Sequence, residues 1–271
     1  MEIAGKVAVI TGAASGIGRA VASTLARRDV RAMALVDVGE TIEGVAADVN
    51  AQAGRLVAFP YRGDTTDDAF RSNVFDAISA QFDTVTMCVP AAGITRDDLA
   101  VRIDKITGKA RIYPVDRFKQ VIDVNLVAPV YWALEMIGRI AEDRAARGLG
   151  RWQPSEGMQG AIVFIGSVSS QGNRGQIAYA STKAGLEGAA ATIMKEAVFY
   201  GVRCGLIHPG FTDTPMVRAM GDDYINKHIL PFTQLGRLIR SDEIADAICF
   251  MLVNSAVSGE LWADAGWHPP A

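Results

Sequence analysis

The sequence predicts an α/β fold, a doubly wound parallel sheet covered by helices on both faces, in a single domain of 271 residues. Two observations carry this prediction. Apolar runs of strand length alternate with longer helical patterns along the whole chain, and the runs are apolar at nearly every position. A strand that is apolar on both faces is buried on both, and strand–helix alternation joins parallel neighbours by right-handed crossovers. In such a sheet, ligands sit outside the carboxyl ends of the strands.

In chain order, strands are expected at residues 6–10 (Lys-Val-Ala-Val-Ile), 31–36 (Arg-Ala-Met-Ala-Leu-Val) and 55–59 (Arg-Leu-Val-Ala-Phe). Further strands follow at 84–89, 161–165 (Ala-Ile-Val-Phe-Ile) and 203–207, with a short last one at 261–263. Longer patterns near 16–28, 41–53, 67–82, 115–147, 177–200 and 241–253 are expected as helices. Two stretches break the rhythm, one near 95–114 that is polar and basic, and one near 148–160 with Trp152, Pro154, Ser155 and Glu156. Both are expected as surface insertions. Residues 210–236 are too long for a simple loop and are expected to hold small helices covering a substrate site. No domain boundary or internal repeat is visible, so one unit is expected over 1–271.

The bulk numbers limit the function classes. The chain is 49% hydrophobic with a mean hydropathy of +0.17, enough for one large core. A net charge of −3 and a pI of about 5.7 favour neither nucleic acid nor an anionic membrane as a partner. Cys88, Cys204 and Cys249 are far apart in apolar runs, without disulfide or zinc spacing. His208, His228 and His268 show no metal spacing either, so no metal is expected. There is no signal-peptide layout, and no apolar stretch approaches 18 residues without breaks. A cytoplasmic protein is expected.

The chemistry is concentrated in Tyr179-Ala-Ser-Thr-Lys183. A Tyr and a Lys four residues apart share a helix face, and an ammonium beside a phenol is expected to lower the phenol's pKa. Ser167, twelve residues upstream, can hold a carbonyl or hydroxyl oxygen while Tyr179 exchanges its proton. Ser169 and Ser170 are loop serines as well, and Ser167 is chosen for its place just past a strand. Far upstream lies Thr11-Gly12-Ala13-Ala14-Ser15-Gly16-Ile17-Gly18, between a strand and a helix. There glycine permits a tight turn and close backbone approach, and the helix N-terminus favours phosphate. Its spacing is G-x-x-x-G-x-G.

Asp37 ends the second strand, where a carboxylate can bind both hydroxyls of an adenosine ribose and repel a 2′-phosphate. A turn or capping Asp is the other reading. With Ser15 in the glycine loop and Arg19 able to face solvent, NAD is expected over NADP. Asp64 and Thr65 suit adenine recognition; an N-cap for the helix near 67 is the alternative, and both can hold. His208 could border the pocket, but a structural role is expected. Trp262 and Trp267 are expected at an interface. Arg144, Arg147 and Arg151 could meet an anionic substrate tail or belong to a solvated helix end.

Together, the glycine motif, Asn125 within Asp123-Val124-Asn125-Leu126, Ser167, Tyr179-x-x-x-Lys183 and Pro209-Gly210 resemble the short-chain dehydrogenase/reductase superfamily over nearly the whole chain. The resemblance implies a Rossmann-like domain with a catalytic Asn-Ser-Tyr-Lys set. Tyr179 would be the acid/base, Lys183 would bind the nicotinamide ribose, Ser167 would orient the substrate oxygen, and Asn125 would hold a relay water. Pro209-Gly210 would shape the nicotinamide pocket and Thr214 would meet the carboxamide. Where the family usually shows Asn-Asn-Ala-Gly, this chain has Pro90-Ala91-Ala92-Gly93. Ala92 and Gly93 keep the close approach, and altered local support is expected.

Gly93-Ile94-Thr95-Arg96-Asp97 and Pro209-Gly210-Phe211 resemble the branch of 3-oxoacyl thioester reductases and 3-hydroxyacyl-CoA dehydrogenases. Tyr200 stands where carrier-protein reductases often place an Arg, which lowers the case for a carrier-protein substrate. The expectation is an NAD-dependent oxidoreductase acting on a secondary alcohol or ketone; a non-catalytic NAD-binding regulatory protein is the alternative. Val121, Leu126, Val130, Leu134 and Ile137 on one long helix, and Leu186, Ala190, Ile193, Ala197 and Val198 on the next, either face their own sheet or pair subunits. With the resemblance, a homotetramer is expected, a dimer next, and residues 261–270 are expected at a second interface.

Overall fold

The computed structural model describes residues 1–267. Val7–Thr11 (β1), Ala32–Asp37 (β2), Ala58–Arg62 (β3), Met87–Pro90 (β4), Gly160–Ile165 (β7), Val202–Pro209 (β8) and Gly259–Ala263 (β9) make one seven-stranded sheet. Its order is β3-β2-β1-β4-β7-β8-β9 and every neighbouring pair is parallel. The chain leaves β1 toward β2 and β3, then returns past β1 to β4. That reversal opens a crevice at the carboxyl ends of β1 and β4.

Burial explains the architecture. Every residue of β1, β4 and β7 is buried, as both faces of a central parallel strand demand. One face is covered by Gly16–Arg27 (α1), Ile42–Ala53 (α2) and Ser241–Val253 (α9), through Val21, Leu25, Ile42, Val45, Ile244 and Ile248. The other is covered by Asp68–Gln81 (α3), Ala128–Ala146 (α5) and Ile177–Glu196 (α6), through Phe75, Ile78, Trp132, Met136, Leu186 and Ile193.

The third strand is displaced from its expected position, 58–62 in place of 55–59. Asn50 of α2 accepts hydrogen bonds from the N–H groups of Val57 and Ala58 at 2.8 Å each and holds the turn that starts β3. As an outer strand, β3 alternates buried and exposed residues and tolerates Pro60, so its apolar run does not mark its limits. The expected helix over 115–147 is Val115–Ile122 (α4), a π-helical turn at Asp123–Val127, and α5. This rod is long and apolar enough to cross a bilayer by length and composition, which the sequence reading missed. Its apolar side packs on the sheet through Trp132, Ala133 and Met136.

The first insertion is an exposed hairpin of Val101–Ile103 (β5) and Ala110–Ile112 (β6), anchored by Asp98 to Arg102 and Arg111. In the second, Arg144 is neither a solvated helix end nor a ligand for substrate. It is 1% exposed, pairs with Glu156 at 2.7 Å and donates to the Gly150 carbonyl. Arg147 pairs with Asp143 on its own helix. Residues 210–236 contain the expected short helices, Pro215–Arg218 (α7) and Asp222–His228 (α8). His268, and the part of the expected interface run beyond residue 267, lie outside the described residues.

The oligomerisation stripes are corrected in part. Val121, Leu186, Ala190, Ile193 and Ala197 are buried in the chain's own core. Leu126, Val130 and Ile137 pack against it. Leu134 and Val198 stay exposed, as do Val127, Tyr131, Ile177 and Phe199.

Candidate active site

A cavity of about 390 Å³ opens at the carboxyl ends of β1, β2 and β4. The glycine loop lines it with Gly12, Ser15, Gly16, Ile17 and Gly18. Asp37, Asp64 and Thr65 come from the β2–β3 side of the sheet, and Tyr179, Lys183 and Thr214 from the β7–β8 side. Ala92 and Gly93 line it from the end of β4.

The loop needs its glycines. Gly12 has a φ of +64°, and a Cβ there would stand 2.7 Å from the Ala92 main chain. A Cβ on Gly18 would stand 2.3 Å from the Gly12 carbonyl oxygen, where no shift of a side chain could relieve it. Gly16 approaches the Thr214 methyl so closely that its Cβ would be 2.9 Å away. The N-cap residue of α1, Ser15, makes no side-chain cap bond, and the first turn has no acidic residue. The N–H groups of this helix end therefore remain available to a phosphate, and the cradle fits a dinucleotide.

Asp37 is held from both sides. One carboxylate oxygen accepts from the Ala14 N–H at 3.0 Å and the other from the Gly39 N–H at 2.8 Å. The cap of α3 is Asp67, which accepts from the Phe70 N–H at 3.0 Å, so Asp64 is free of that role and bonds Thr66 within the loop. Buried Trp132 reaches from α5 and donates from Nε1 to the Thr65 carbonyl at 2.9 Å. A core aromatic thereby sets the position of a cavity wall. Where the two family amides are absent, Thr11 supplies the support: the Ala91 N–H donates to its carbonyl and the Ala92 N–H to its hydroxyl.

At the other end, α6 puts Lys183 one turn beyond Tyr179, with Nζ 5.4 Å from the ring centroid. Nζ donates to the Ile165 carbonyl at 2.8 Å. The expected lowering of the phenol pKa by Lys183 is not what this chain alone produces. Burial pushes Tyr179 up to about 12; a hydrogen bond with Ser167 pulls it down, and the Asp97 charge raises it. Burial also brings Lys183 down to about 8. Desolvation disfavours both charged forms and is the largest cause of each shift.

Four expected residues are not among those lining the cavity. Ser167 follows β7, caps a short 3-10 turn through the Ser169 N–H, and meets Tyr179 by its hydroxyl. Asn125 is fully buried in the π-helical turn; its Nδ2 donates to the Ile94 carbonyl and its Oδ1 accepts from the Ile94 N–H. It thus fixes the segment after Gly93. Pro209 and Gly210 end β8, where a Cβ on Gly210 would meet the Asp264 main chain at 2.7 Å. Gly210 serves the packing of the C-terminal segment there. His208 is buried and does not line the cavity, and Trp262 and Trp267 pack within the chain on His208 and Phe211.

Sequence reasoning missed some site residues. Arg96 and Gln120 line the cavity and bond each other at 3.1 Å. Arg96 lay inside a quoted motif but nothing gave it a role. Gln176 links Asp97 to Ser169, with bonds of 2.8 and 2.9 Å, and no spacing rule joins residues 97 and 176.

Residues 6–225 match the family model described as short chain dehydrogenase. This chain belongs to that family. Among curated relatives, the 3-oxoacyl-acyl-carrier-protein reductase FabG of Escherichia coli is 31% identical over 263 residues, covering 96% of each chain. The (3R)-3-hydroxyacyl-CoA dehydrogenase of Canis lupus familiaris is 28% identical over 260 residues, covering 93% of this chain and 90% of its own. A solved short-chain type dehydrogenase/reductase from Mycobacterium marinum shares the fold with a TM-score of 0.83 at 22% identity, covering 99% of this chain and 98% of its own. As a short-chain dehydrogenase, this protein is an oxidoreductase that moves a hydride between a nicotinamide cofactor and a hydroxyl or keto substrate. The reading as a non-catalytic binder is set aside.

Proposed function

We propose that this short-chain dehydrogenase is a cytoplasmic, NAD-dependent enzyme that interconverts a secondary alcohol and a ketone on an acyl chain, in the class of 3-hydroxyacyl thioesters. The observation that carries the cofactor preference is Asp37, whose carboxylate lines the cavity and is locked by two main-chain N–H groups. The arginine after the glycine loop and the register partner of Asp37 are engaged elsewhere, Arg19 with Asp48 at 3.0 Å and Arg62 with Glu40 at 2.7 Å. A 2′-phosphate would meet a fixed negative charge with no released cation beside it. The printed functions of the bacterial and canine relatives support the substrate class. Buried free thiols at Cys88, Cys204 and Cys249 suit a reducing compartment.

The bound nicotinamide supplies the hydride acceptor or donor. The chain does the rest. Gly12, Gly16 and Gly18 let the main chain approach the pyrophosphate, and Asp37, Asp64 and Thr65 hold the adenosine end. Thr214 and Lys183 orient the other end. Ser167 donates a hydrogen bond to the substrate oxygen, and the Tyr179 hydroxyl gives that oxygen a proton in reduction or takes it in oxidation. Lys183, as the ammonium, favours the phenolate. Asn125 keeps the segment after Gly93 in place behind Lys183.

Replacing Asp37 with Ser removes the charge and is expected to raise kcat/KM with NADP relative to NAD at least tenfold, about 1.4 kcal/mol. Initial rates followed by NADH or NADPH absorbance measure this. A wild-type protein that preferred NADP tenfold would sink the assignment of Asp37. The same assay, run over secondary alcohols with and without a thioester, tests the substrate class; activity confined to non-acyl alcohols would exclude it.

We further propose a homotetramer. Its support is the exposed apolar residues Tyr131 and Leu134 of α5, Ile177 of α6, and Val127, Val198 and Phe199 of the turns that adjoin these helices, together with the family resemblance. Light scattering at micromolar concentration is expected to give four times the 28.9 kDa chain mass; a monomer mass would overturn it.

A further inference from the structure

Behind the loop that carries Ser167 lies a second cluster of chemical groups. His208 of β8 is fully buried, and its ring stacks on Trp262 of β9 with centroids 4.1 Å apart. Its Nδ1 stands 3.1 Å from the Ser167 carbonyl oxygen. A carbonyl oxygen only accepts, so Nδ1 carries the hydrogen and the tautomer is fixed. In the neutral ring, Nε2 is then a lone pair. It faces a Glu260 carboxylate oxygen at 3.2 Å and a Glu187 carboxylate oxygen at 3.8 Å. Three electron-pair donors this close together repel unless a cation stands among them.

We propose that His208 Nε2, Glu187 Oε1 and Glu260 Oε2 form a binding site for a divalent cation of the zinc–manganese class, separate from the catalytic cavity. The three ligand atoms lie within 4.8 Å of one another. Zinc bonds of about 2.0–2.2 Å in a tetrahedron place ligand atoms roughly 3.3–3.6 Å apart, close to the two His–Glu separations already present. One imidazole nitrogen with two carboxylates suits zinc or manganese; calcium and magnesium take all-oxygen sets. The Nδ1–H bond to the Ser167 carbonyl is the outer contact that orients a metal-binding imidazole. The His side is sealed by burial, while Glu187 and Glu260 have 32% and 42% of their side-chain surface exposed, which gives an ion its way in. No spacing rule could find the site, because its ligands come from α6, β8 and β9. The ion would tie the last strand to the helix that bears Tyr179 and Lys183, and to the Ser167 loop.

The test uses the full chain, stripped with a chelator and dialysed. Binding is followed by calorimetry with zinc chloride, and by loss of the free-ion paramagnetic resonance signal with manganese chloride. Wild type is expected to take up one ion per chain in at least one titration, and its Tm to rise with that ion. The double variant Glu187→Gln, Glu260→Gln keeps the shape of both side chains. It is expected to bind at least tenfold more weakly and to show no rise in Tm. All cysteines and histidines are the same in both proteins, so uptake at those groups cancels. Far-UV circular dichroism checks that the variant folds, and Glu260→Gln alone serves if it does not. No uptake by wild type, or equal uptake by wild type and variant, overturns the proposal.

Discussion

Tyr179→Phe is expected to lower turnover by about 10²–10⁴-fold, the range for loss of a general acid–base, while NADH binds as before. The ring keeps its half-buried place on α6 at the cavity wall, so the fold and the position of Lys183 are kept. Only the exchangeable proton is lost. Oxidation of an alcohol needs the phenolate and reduction of a ketone needs the phenol. The wild-type oxidation rate therefore rises with pH toward the working pKa of Tyr179, and the reduction rate falls through it. Burial, with smaller effects of Ser167 and Asp97, raises the phenol to about 12, and burial lowers Lys183 to about 8. As pH climbs through about 8, Lys183 loses the charge that favours phenolate. Lys183→Met removes that charge at every pH and is expected to harm both turnover and NADH affinity. Stopped-flow turnover and fluorescence titration of NADH separate the two effects. A Phe variant within threefold of wild type would rule out Tyr179 as the proton-transfer group.

Gly18→Ala is expected to weaken NADH binding by at least 100-fold, about 2.7 kcal/mol, in a chain that still folds. The added methyl would lie 2.3 Å from the Gly12 carbonyl oxygen, so the loop and the first turn of α1 must separate. The separation displaces the N–H groups that we propose meet the pyrophosphate. The sheet, whose β1 pairs with β2 and β4 upstream of this point, is not touched. Fluorescence titration beside thermal melting checks both halves of the prediction. A variant that bound NADH normally would show that the phosphates rest elsewhere.

Much of the fold was legible because its signals are local. A run such as Ala161-Ile162-Val163-Phe164-Ile165 is apolar at every position only where both faces are covered, and it became the buried strand β7. The outer strand β3 was misplaced because one of its faces alternates and a side chain of α2, Asn50, decides where it begins. The oligomerisation stripes stayed open in the sequence for a related reason. A helical period shows that a face is apolar and is silent about what covers it. Leu186, Ala190 and Ile193 turned out to face their own sheet, and only the neighbouring Leu134 and Val198 remain outside.

The site divides in the same way. Glycines at 12, 16 and 18, the carboxylate at 37 and the Tyr179–Lys183 pair were determined by the sequence alone. Each is marked by a local pattern, a glycine spacing, a strand end or one helix turn, although Gly12 and Gly16 also need their room against Ala92 and Thr214. Tertiary structure alone decided the rest. Trp132 sets Thr65 from across the helical layer, Asn125 grips Ile94, and Gln176 joins Asp97 to Ser169. It also brought His208 against Glu187 and Glu260. It reversed the expected electrostatics of Tyr179, because desolvation depends on everything packed around a group, while sequence spacing reports only the nearest charge.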